Sequence, residues 1–401
     1  MPPPTPDPAP DAPRRLQPRR ARAGGSRAWP RLDGPPRVAL VLGGGGLKGF
    51  AHLGVLRALE ERGVRPSLYA GTSIGALIAA AAASGTPLDD LARRAERLKR
   101  RDLFQLNHYA MLVGRMRAES LYAAEPLQAL VDAVVPAGTF ADGRAPLLVS
   151  TVDLPRAKQV VWGLPGLRQV PVRDAVYAAC ALPGFFPPGC VGGRVCVDGG
   201  TVDNLPMAPA ALGGGGPPPD LIVAVDVGSA EFAHEADIHR QGFAAVFMRS
   251  ASVMMHALQS AALARWQGPP VILVRPRVGH IGWFTFGRAA DFIAAGHEAA
   301  VAALGAWDAA LAAGGGIHPR RRVRVEVDRT RCTGCGLCVM QAPHAMDLDA
   351  RGKAFAREPS FAWSPADGGF VGQCPTRALR AVPLAAPAAA PASPAADRAA
   401  G

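Results

Sequence analysis

Leu68-Tyr69-Ala70-Gly71-Thr72-Ser73-Ile74-Gly75-Ala76 is the stretch that decides the fold. An apolar run enters a Gly-x-Ser-x-Gly turn, and a run of small residues leaves it. A strand that turns abruptly into a helix needs glycine on both sides of the turning residue, because a side chain there collides with neighbouring backbone. Such a turn lifts the Ser73 hydroxyl above the end of a strand and beside a helix N-terminus, where developing negative charge is stabilised. A plain tight turn produces the same pentapeptide in so Gly- and Ala-rich a chain, so the flanking elements have to agree with it.

Upstream, Val38-Ala39-Leu40-Val41-Leu42 is a short continuous apolar run, the pattern of a parallel strand buried on both faces. The glycine loop Gly43 to Gly49 follows, then a helix over about 51–62. Gly44, Gly46 and Gly49 also satisfy the dinucleotide fingerprint. That use is opposed by the absence of an acidic residue about 20 positions on, where the chain reads Arg65-Pro66-Ser67-Leu68-Tyr69. The other use of a glycine turn is to present successive N–H groups as an oxyanion hole, each donor contributing about 3 kcal/mol to the transition state. Gly44, Gly45 and Gly46 are the candidates.

Downstream, strands are expected at 147–152, 159–162, 195–197, 221–227 and 271–274, and helices at 88–99, 126–134, 172–179, 240–265 and 286–312. Alternation of this kind specifies an α/β sheet covered on both faces. Asp198-Gly199-Gly200 ends the short strand that includes Val195-Cys196-Val197. A carboxylate at a strand end beside permissive backbone suits a catalytic role, and an ordinary Asp-Gly turn reads the same way. None of the nine His sits in a base-bearing motif. The Met, Phe and Ala residues between Phe243 and Trp266 are read as core rather than as an acyl channel.

With these three motifs in order, residues 38–310 resemble the patatin-like phospholipase family, on Gly44-Gly45-Gly46-Leu47-Lys48-Gly49, Gly71-Thr72-Ser73-Ile74-Gly75 and Asp198-Gly199-Gly200. Ala51-His52-Leu53-Gly54-Val55-Leu56 and Pro183-Gly184-Phe185-Phe186-Pro187-Pro188 are similar to its bacterial members. The resemblance implies a three-layer α/β/α sandwich with a mainly parallel sheet. It also implies a Ser73 nucleophile with Asp198 as base and no His, an oxyanion site around Gly45 and Gly46, and lipid acyl esters as substrates. Lys48 reads as a loop anchor, with Gly49, Gly71, Gly75, Gly199 and Gly200 supporting the motifs. Gly200 stands where Ala is common in the family, a small change that leaves activity expected.

Farther on, Cys332-Thr333-Gly334-Cys335-Gly336-Leu337-Cys338 places three thiols two residues apart in a tight loop, and Cys374-Pro375 supplies a fourth. This is the ligand run of a bacterial iron–sulfur protein. Structural zinc normally takes its cysteines as two pairs, and Cys374 has no companion. The stretch from Val325 through Leu379 resembles a single-cluster [4Fe-4S] ferredoxin, implying a small α+β module with two short hairpin strands. The cluster then acts as a structural staple, a redox sensor, or an electron carrier for a partner protein. Cys180, Cys190 and Cys196 match no ligand spacing and read as buried small hydrophobes.

The 401 residues carry a formal charge of +12, with seven Arg against three Asp in the first 36 and six Arg against two acids from Arg320 to Arg331. These Arg are not interleaved with aromatics in any nucleic-acid-binding pattern, so nucleic acid is not an expected partner; attraction to an anionic membrane is. No run of roughly 18 apolar residues suggests a span, and no secretory signal opens the chain. Free thiols at cluster spacing argue for a cytoplasmic location with peripheral membrane contact. The expected organisation is a disordered Arg/Pro-rich tail at 1–36, a hydrolase domain at 37–313, a linker at 314–322, the cluster module at 323–381 and a disordered Ala/Pro-rich tail at 382–401. The expected function is a serine lipid acyl hydrolase with an iron–sulfur module. Its rival is a non-hydrolytic electron-transfer or redox-sensing protein that uses the hydrolase fold as a binding platform.

Overall fold

A computed structural model describes residues 34–106, 119–228 and 237–384. Most of the two expected tails and His234 lie outside the described residues.

The strands are β1 (Val38–Leu42), β2 (Leu68–Thr72), β3 (Leu147–Asp153), β4 (Lys158–Trp162), β5 (Gly189–Val191), β6 (Arg194–Asp198), β7 (Leu221–Val225), β8 (Val271–Val274) and β9 (Ile317–His318). They join in one sheet of order β5-β6-β3-β2-β1-β7-β8-β9, with β4 paired to β3. From β3 across to β9 every pairing is parallel, and β4, β5 and β6 add antiparallel pairs.

Strand β1 lies near the middle with all five residues buried. Val38, Leu40 and Leu42 join one hydrophobic cluster, while Ala39 and Val41 join another on the opposite face. The first cluster takes in helices α1 (Ala51–Glu61), α2 (Ile74–Ala83), α3 (Leu88–Arg97), α4 (Glu125–Val134) and α5 (Val172–Cys180). The second takes in α6 (Met207–Ala211) and Leu263 of α7 (Phe243–Ala264). Two apolar faces on one strand explain its uninterrupted hydrophobic reading. The result is a three-layer α/β/α sandwich, as the sequence led one to expect.

Two elements depart from expectation. The single helix expected at 286–312 is two, α8 (Ala289–Leu304) and α9 (Trp307–Ala313), broken at Gly305-Ala306. Leu304 and Trp307 are both buried on either side of the break. Glycine costs about 1 kcal/mol in a helix interior, so packing both side chains wins over continuing the helix. Ile317–His318, in the stretch read as linker, pairs with β8 as the edge strand.

Beyond it, β10 (Arg321–Val327) pairs with β13 (Phe361–Trp363) and β14 (Leu379–Pro383), and β11 (Met346–Leu348) pairs with β12 (Ala354–Ala356). This is richer than the two hairpin strands expected. The alternation in Val323, Val325 and Val327 against Arg322, Arg324 and Glu326 gives β10 one face for a core shared with Met346, Trp363 and Phe370. The module touches the large sheet through Arg275, whose guanidinium donates to the Pro365 carbonyl at 2.9 Å and to Asp226 Oδ2 at 3.2 Å.

Candidate active site

Ligands of open α/β sheets bind outside the carboxyl ends of the strands. Three ends meet there: β1 runs into the glycine loop, β2 into Ser73 and β7 into Asp226, while the antiparallel β6 brings Asp198 level with Thr151 of β3. Ser73 sits at φ 56° and ψ −133°, a left-handed conformation rare for a side-chain-bearing residue, directly before α2. Such strain costs on the order of 1–3 kcal/mol and is held by surrounding structure. A Cβ on Gly71 would strike the Gly75 backbone, and one on Gly75 would strike the Leu42 carbonyl, so the turn exists only with both glycines. Gly49 is crowded in the same way by Ile74, and Gly199 by the Ser150 carbonyl.

Asp198 is 4% exposed. Its carboxyl group accepts a hydrogen bond from Gly200 N–H at 2.8 Å, and it lines the same cavity as Ser73. Burial pushes its pKa up to about 6, opposed by the Gly200 N–H and the nearby Ser73 side chain. The structure places Ser73 and Asp198 on the walls of one cavity, 125 residues apart in sequence. A Cβ added to Gly200 would lie 3.1 Å from Asp198 Oδ1, 3.1 Å from Asn204 Oδ1 and 3.2 Å from Met255 Cε. Alanine at that position thus requires its neighbours to give way by a few tenths of an ångström.

The glycine loop is not a uniform row of donors. Gly43 N–H donates to the Val225 carbonyl at 3.0 Å. Gly44 N–H donates to Asn204 Oδ1 at 3.1 Å, and Asn204 Nδ2 returns a bond to the Gly44 carbonyl at 3.2 Å. Leu47 N–H is held by the Trp283 carbonyl at 2.8 Å. Among the described residues, Gly45 and Gly46 N–H have no protein acceptor. The Gly44 amide is therefore already spent on a side chain that glycine-loop reasoning does not contain. Asn204 belongs to the Asn-Leu-Pro run after β6, and nothing in its local sequence announces a partner 160 residues away.

Lys48 is buried, its ammonium 5.7 Å from the Trp283 ring centroid. Burial lowers its pKa to about 8, opposed by the nearby charge of Asp226. His52 is also fully buried; its Nε2 is 2.8 Å from the Gly43 carbonyl and its Nδ1 has no partner. Burial lowers its pKa to about 4, so it stands behind the loop as a neutral ring. Among the described residues lining the cavity at Ser73 there is no His.

That cavity is a narrow slot of about 60 Å³, walled by Leu47, Leu77, Leu127, Leu130, Phe186 and Phe284, with Ser73 and Asp198 as its polar members. Phe104, Tyr122, Phe185, Phe186 and Phe284 form a contiguous ring cluster at one side, with centroids 4.7–6.2 Å apart. The Cys180 thiol joins the slot and donates to the Ser73 carbonyl at 3.2 Å. Of the three cysteines read as buried, Cys196 is buried, Cys180 is partly so and Cys190 is exposed. Cys190 lies on β5 at the free edge of the sheet, where alternate side chains face water.

In the small module, Cys332, Cys335, Cys338 and Cys374 line one cavity together with Leu348, Ala354 and Leu379. Ala354 N–H donates to Cys332 Sγ at 3.4 Å and Ala378 N–H to Cys374 Sγ at 3.3 Å. Backbone donors aimed at ligand sulfurs suit a thiolate-held cluster. Among the described residues, no three His, Cys, Asp or Glu side chains converge as ligands of a single ion. The four sulfurs surround a space instead of meeting at a point.

Comparison with known proteins agrees with the two-part reading. Residues 40–211 match the family described as "Patatin-like phospholipase", and residues 325–365 match a "4Fe-4S single cluster domain". The second match contains Cys332, Cys335 and Cys338 and stops short of Cys374. An uncharacterized NTE family protein of Mycobacterium tuberculosis is 38% identical over 199 residues, 49% of this chain and 50% of its own. The human "Patatin-like phospholipase domain-containing protein 6" is 31% identical over 51% of this chain and 14% of its own. A "Lysophospholipase nte1" of Emericella nidulans is 30% identical over 48% and 12%. The chain thus spans half the length of the mycobacterial relative and far less of the others.

Proposed function

We propose that this chain is a serine lipid acyl hydrolase of lysophospholipase or esterase type, with Ser73 as nucleophile and Asp198 as base. The placement of Ser73 and the buried Asp198 on one apolar cavity carries the reading. Two uncommitted amides, at Gly45 and Gly46, and an apolar slot beside the hydroxyl support it. So does the likeness to patatin-like phospholipases and to a protein named a lysophospholipase.

In the first half-reaction Ser73 Oγ attacks the ester carbonyl while its proton passes to Asp198. The oxyanion is received by Gly45 and Gly46 N–H. Collapse expels the alcohol, which leaves with the proton from Asp198, and the acyl group stays on Ser73. Water then attacks the acyl-enzyme, gives its proton to Asp198, and the acid departs as Ser73 regains that proton. A carboxylate at its usual pKa of about 4 is a weak base. Raising Asp198 to about 6 by burial brings it closer to the range in which a base works at neutral pH.

Cys332, Cys335, Cys338 and Cys374 would hold one [4Fe-4S] cluster, which supplies one-electron redox chemistry when bound. No redox step belongs to ester hydrolysis, so the module serves as staple, as sensor, or as contact for a redox partner. Seven cysteines, all free, suit a reducing, cytoplasmic compartment. No described helix is long and apolar enough to cross a membrane.

The deciding experiment compares wild type and Ser73→Ala on a short-chain p-nitrophenyl ester, then on a panel of lysophospholipids, phospholipids and neutral lipids. Loss of turnover by at least about a thousandfold is expected. Equal activity in both would leave the redox-sensing platform as the better account.

A further inference from the structure

Arg275, the residue after β8, divides its guanidinium between two parts of the fold. Nη1 donates to the Pro365 carbonyl at 2.9 Å, and Nε donates to Asp226 Oδ2 at 3.2 Å. Pro365 belongs to the small module, in a turn that Asp367 holds by accepting from Ser364 N–H at 2.7 Å. Trp363, just before that turn, sits in the module core with Cys332, and Ala366 packs on the cluster that contains Leu273 of β8. On the other side, Asp226 follows β7 and is 1% exposed, so its charge depends on partners held in place. Its Oδ1 accepts from Gly228 N–H at 3.3 Å, which shapes the turn over 226–228. That turn is the wall behind the glycine loop. A Cβ on Gly45 would lie 2.8 Å from Val227 Cγ2, and one on Gly228 would meet the Gly44 carbonyl at 2.5 Å. The Asp226 charge also acts on Lys48 within that loop.

We propose that Arg275 is a positioning residue of the hydrolase, through which the Pro365 turn of the small module holds the glycine loop in shape to receive an oxyanion. The inference rests on the hydrolase reading and gives the module a part in that reaction which needs no electron transfer. A guanidinium is planar and rigid, so its donors keep a fixed spread. A shift of the Pro365 carbonyl therefore turns the whole group and moves Nε relative to Asp226. Lysine, a point charge on a flexible stem, can serve either acceptor without fixing one against the other. A guanidinium that merely neutralised Asp226 would gain most by giving two parallel donors to the carboxylate, whereas here one of them is given to the module. Beside this bridge the seam opens into a cavity of about 430 Å³ whose walls include Arg277, Trp363 and Pro365. Packing on that side is open, which leaves the hydrogen-bonded bridge to fix the seam.

The test follows the loop itself. Hydrogen exchange read by mass spectrometry on the full chain, purified anaerobically, reports the bonded amides of Gly43, Gly44 and Leu47 and needs no turnover. Arg275→Lys should speed exchange there about tenfold. Asp367→Ala, which frees the Pro365 turn from within the module, should do the same. The double variant should match the stronger single one, because both cut one connection. On a soluble butyryl ester each variant should lose about tenfold in kcat with KM within about twofold, since the loop acts on the transition state. A role confined to neutralising Asp226 predicts no change for Asp367→Ala in either readout, and that result overturns the proposal. Additive effects in the double variant overturn it too, as does a loss that appears in KM alone. Should Arg275→Lys not fold, Arg275→Gln/Asp226→Asn takes its place and keeps the pair neutral. Failure of the hydrolase reading shows separately, as undiminished soluble-ester turnover by Ser73→Ala, while the exchange rates still decide whether Arg275 ties the module to the loop.

Discussion

Asn204 holds the peptide of Gly44 at both polar ends, accepting from its N–H at 3.1 Å and donating to its carbonyl at 3.2 Å. The loop that precedes Ser73 in sequence is thus fixed by a side chain that follows Asp198. The glycine loop and the segment that follows Asp198 are joined through this one amide. Removing it separates the position of the loop from the position of the acid.

Asn204→Ala should therefore lower kcat by about 10- to 100-fold with little change in KM, because Gly45 and Gly46 lose their support while the acyl slot is untouched. A stability loss of about 1–3 kcal/mol should accompany it, from the Gly44 carbonyl left buried without its partner. Steady-state kinetics together with urea melts measure both. A KM effect alone would mean that the loop is held without Asn204.

The raised pKa of Asp198 has two consequences with opposite sign. The proposed mechanism requires the carboxylate, so kcat/KM should fall on the acid side with a midpoint about pH 6, well above an ordinary aspartate. Stability runs the other way. A folded pKa of about 6 against 3.8 unfolded means that the folded protein binds the proton more readily, so this group's contribution improves as pH falls from about 6 toward 3.8. At pH 7 the buried charge costs on the order of 3 kcal/mol. Asp198→Asn should abolish turnover and raise Tm at neutral pH. A variant that is both dead and less stable would contradict this account of the site.

His52 titrates with the reverse sense. Its folded pKa is about 4 against 6.5 for the free side chain, so the unfolded chain binds the proton first. Its contribution is complete above about pH 6.5 and is lost as pH falls toward 4, amounting to roughly 3 kcal/mol. His52→Gln, which keeps an N–H for the Gly43 carbonyl, should flatten that acid loss in denaturant melts taken across the window. Parallel stability curves for the two proteins would refute the assignment.

The slot beside Ser73 is small, about 60 Å³. Long acyl chains must displace its leucines, so butyryl esters should outrun octanoyl esters in the wild type. Leu130 is only partly buried, and Leu130→Ala should shift the octanoyl-to-butyryl ratio upward by several fold at a cost of about 2 kcal/mol. An unchanged ratio would mean that the acyl chain lies elsewhere.

Protein purified anaerobically should carry about four irons per chain and a broad visible charge-transfer band. Cys374→Ala should lose both, since the distant fourth sulfur closes the cavity formed by Cys332, Cys335 and Cys338. Stoichiometric zinc in place of iron would remove every redox role from the module.

Much of the frame was readable residue by residue. Val38 to Leu42 read as a strand buried on both faces because a parallel strand between two helical layers leaves no position for a polar residue. Gly71 and Gly75 read as an elbow because only glycine survives contact with the Gly75 backbone and the Leu42 carbonyl. Other features gave no such sign. The break at Gly305 depends on Leu304 and Trp307 both finding burial, and one glycine in a helical pattern does not foretell it. The exposure of Cys190 depends on β5 being an edge strand, a matter of sheet order rather than of residue type.

Sequence by itself determined the strand-to-helix turn at Ser73, the carboxylate ending β6, the four-cysteine run and the layered α/β class. Each follows from local sterics, hydrophobic period or ligand spacing, which a short window of residues contains. Tertiary structure alone decided which loop amides stay available, that Asn204 takes up the Gly44 amide, and that Asp198 is buried enough to be raised to about 6. Hydrogen-bond partnership and desolvation depend on what lies across space, and a chain sets that only once distant segments have packed against one another.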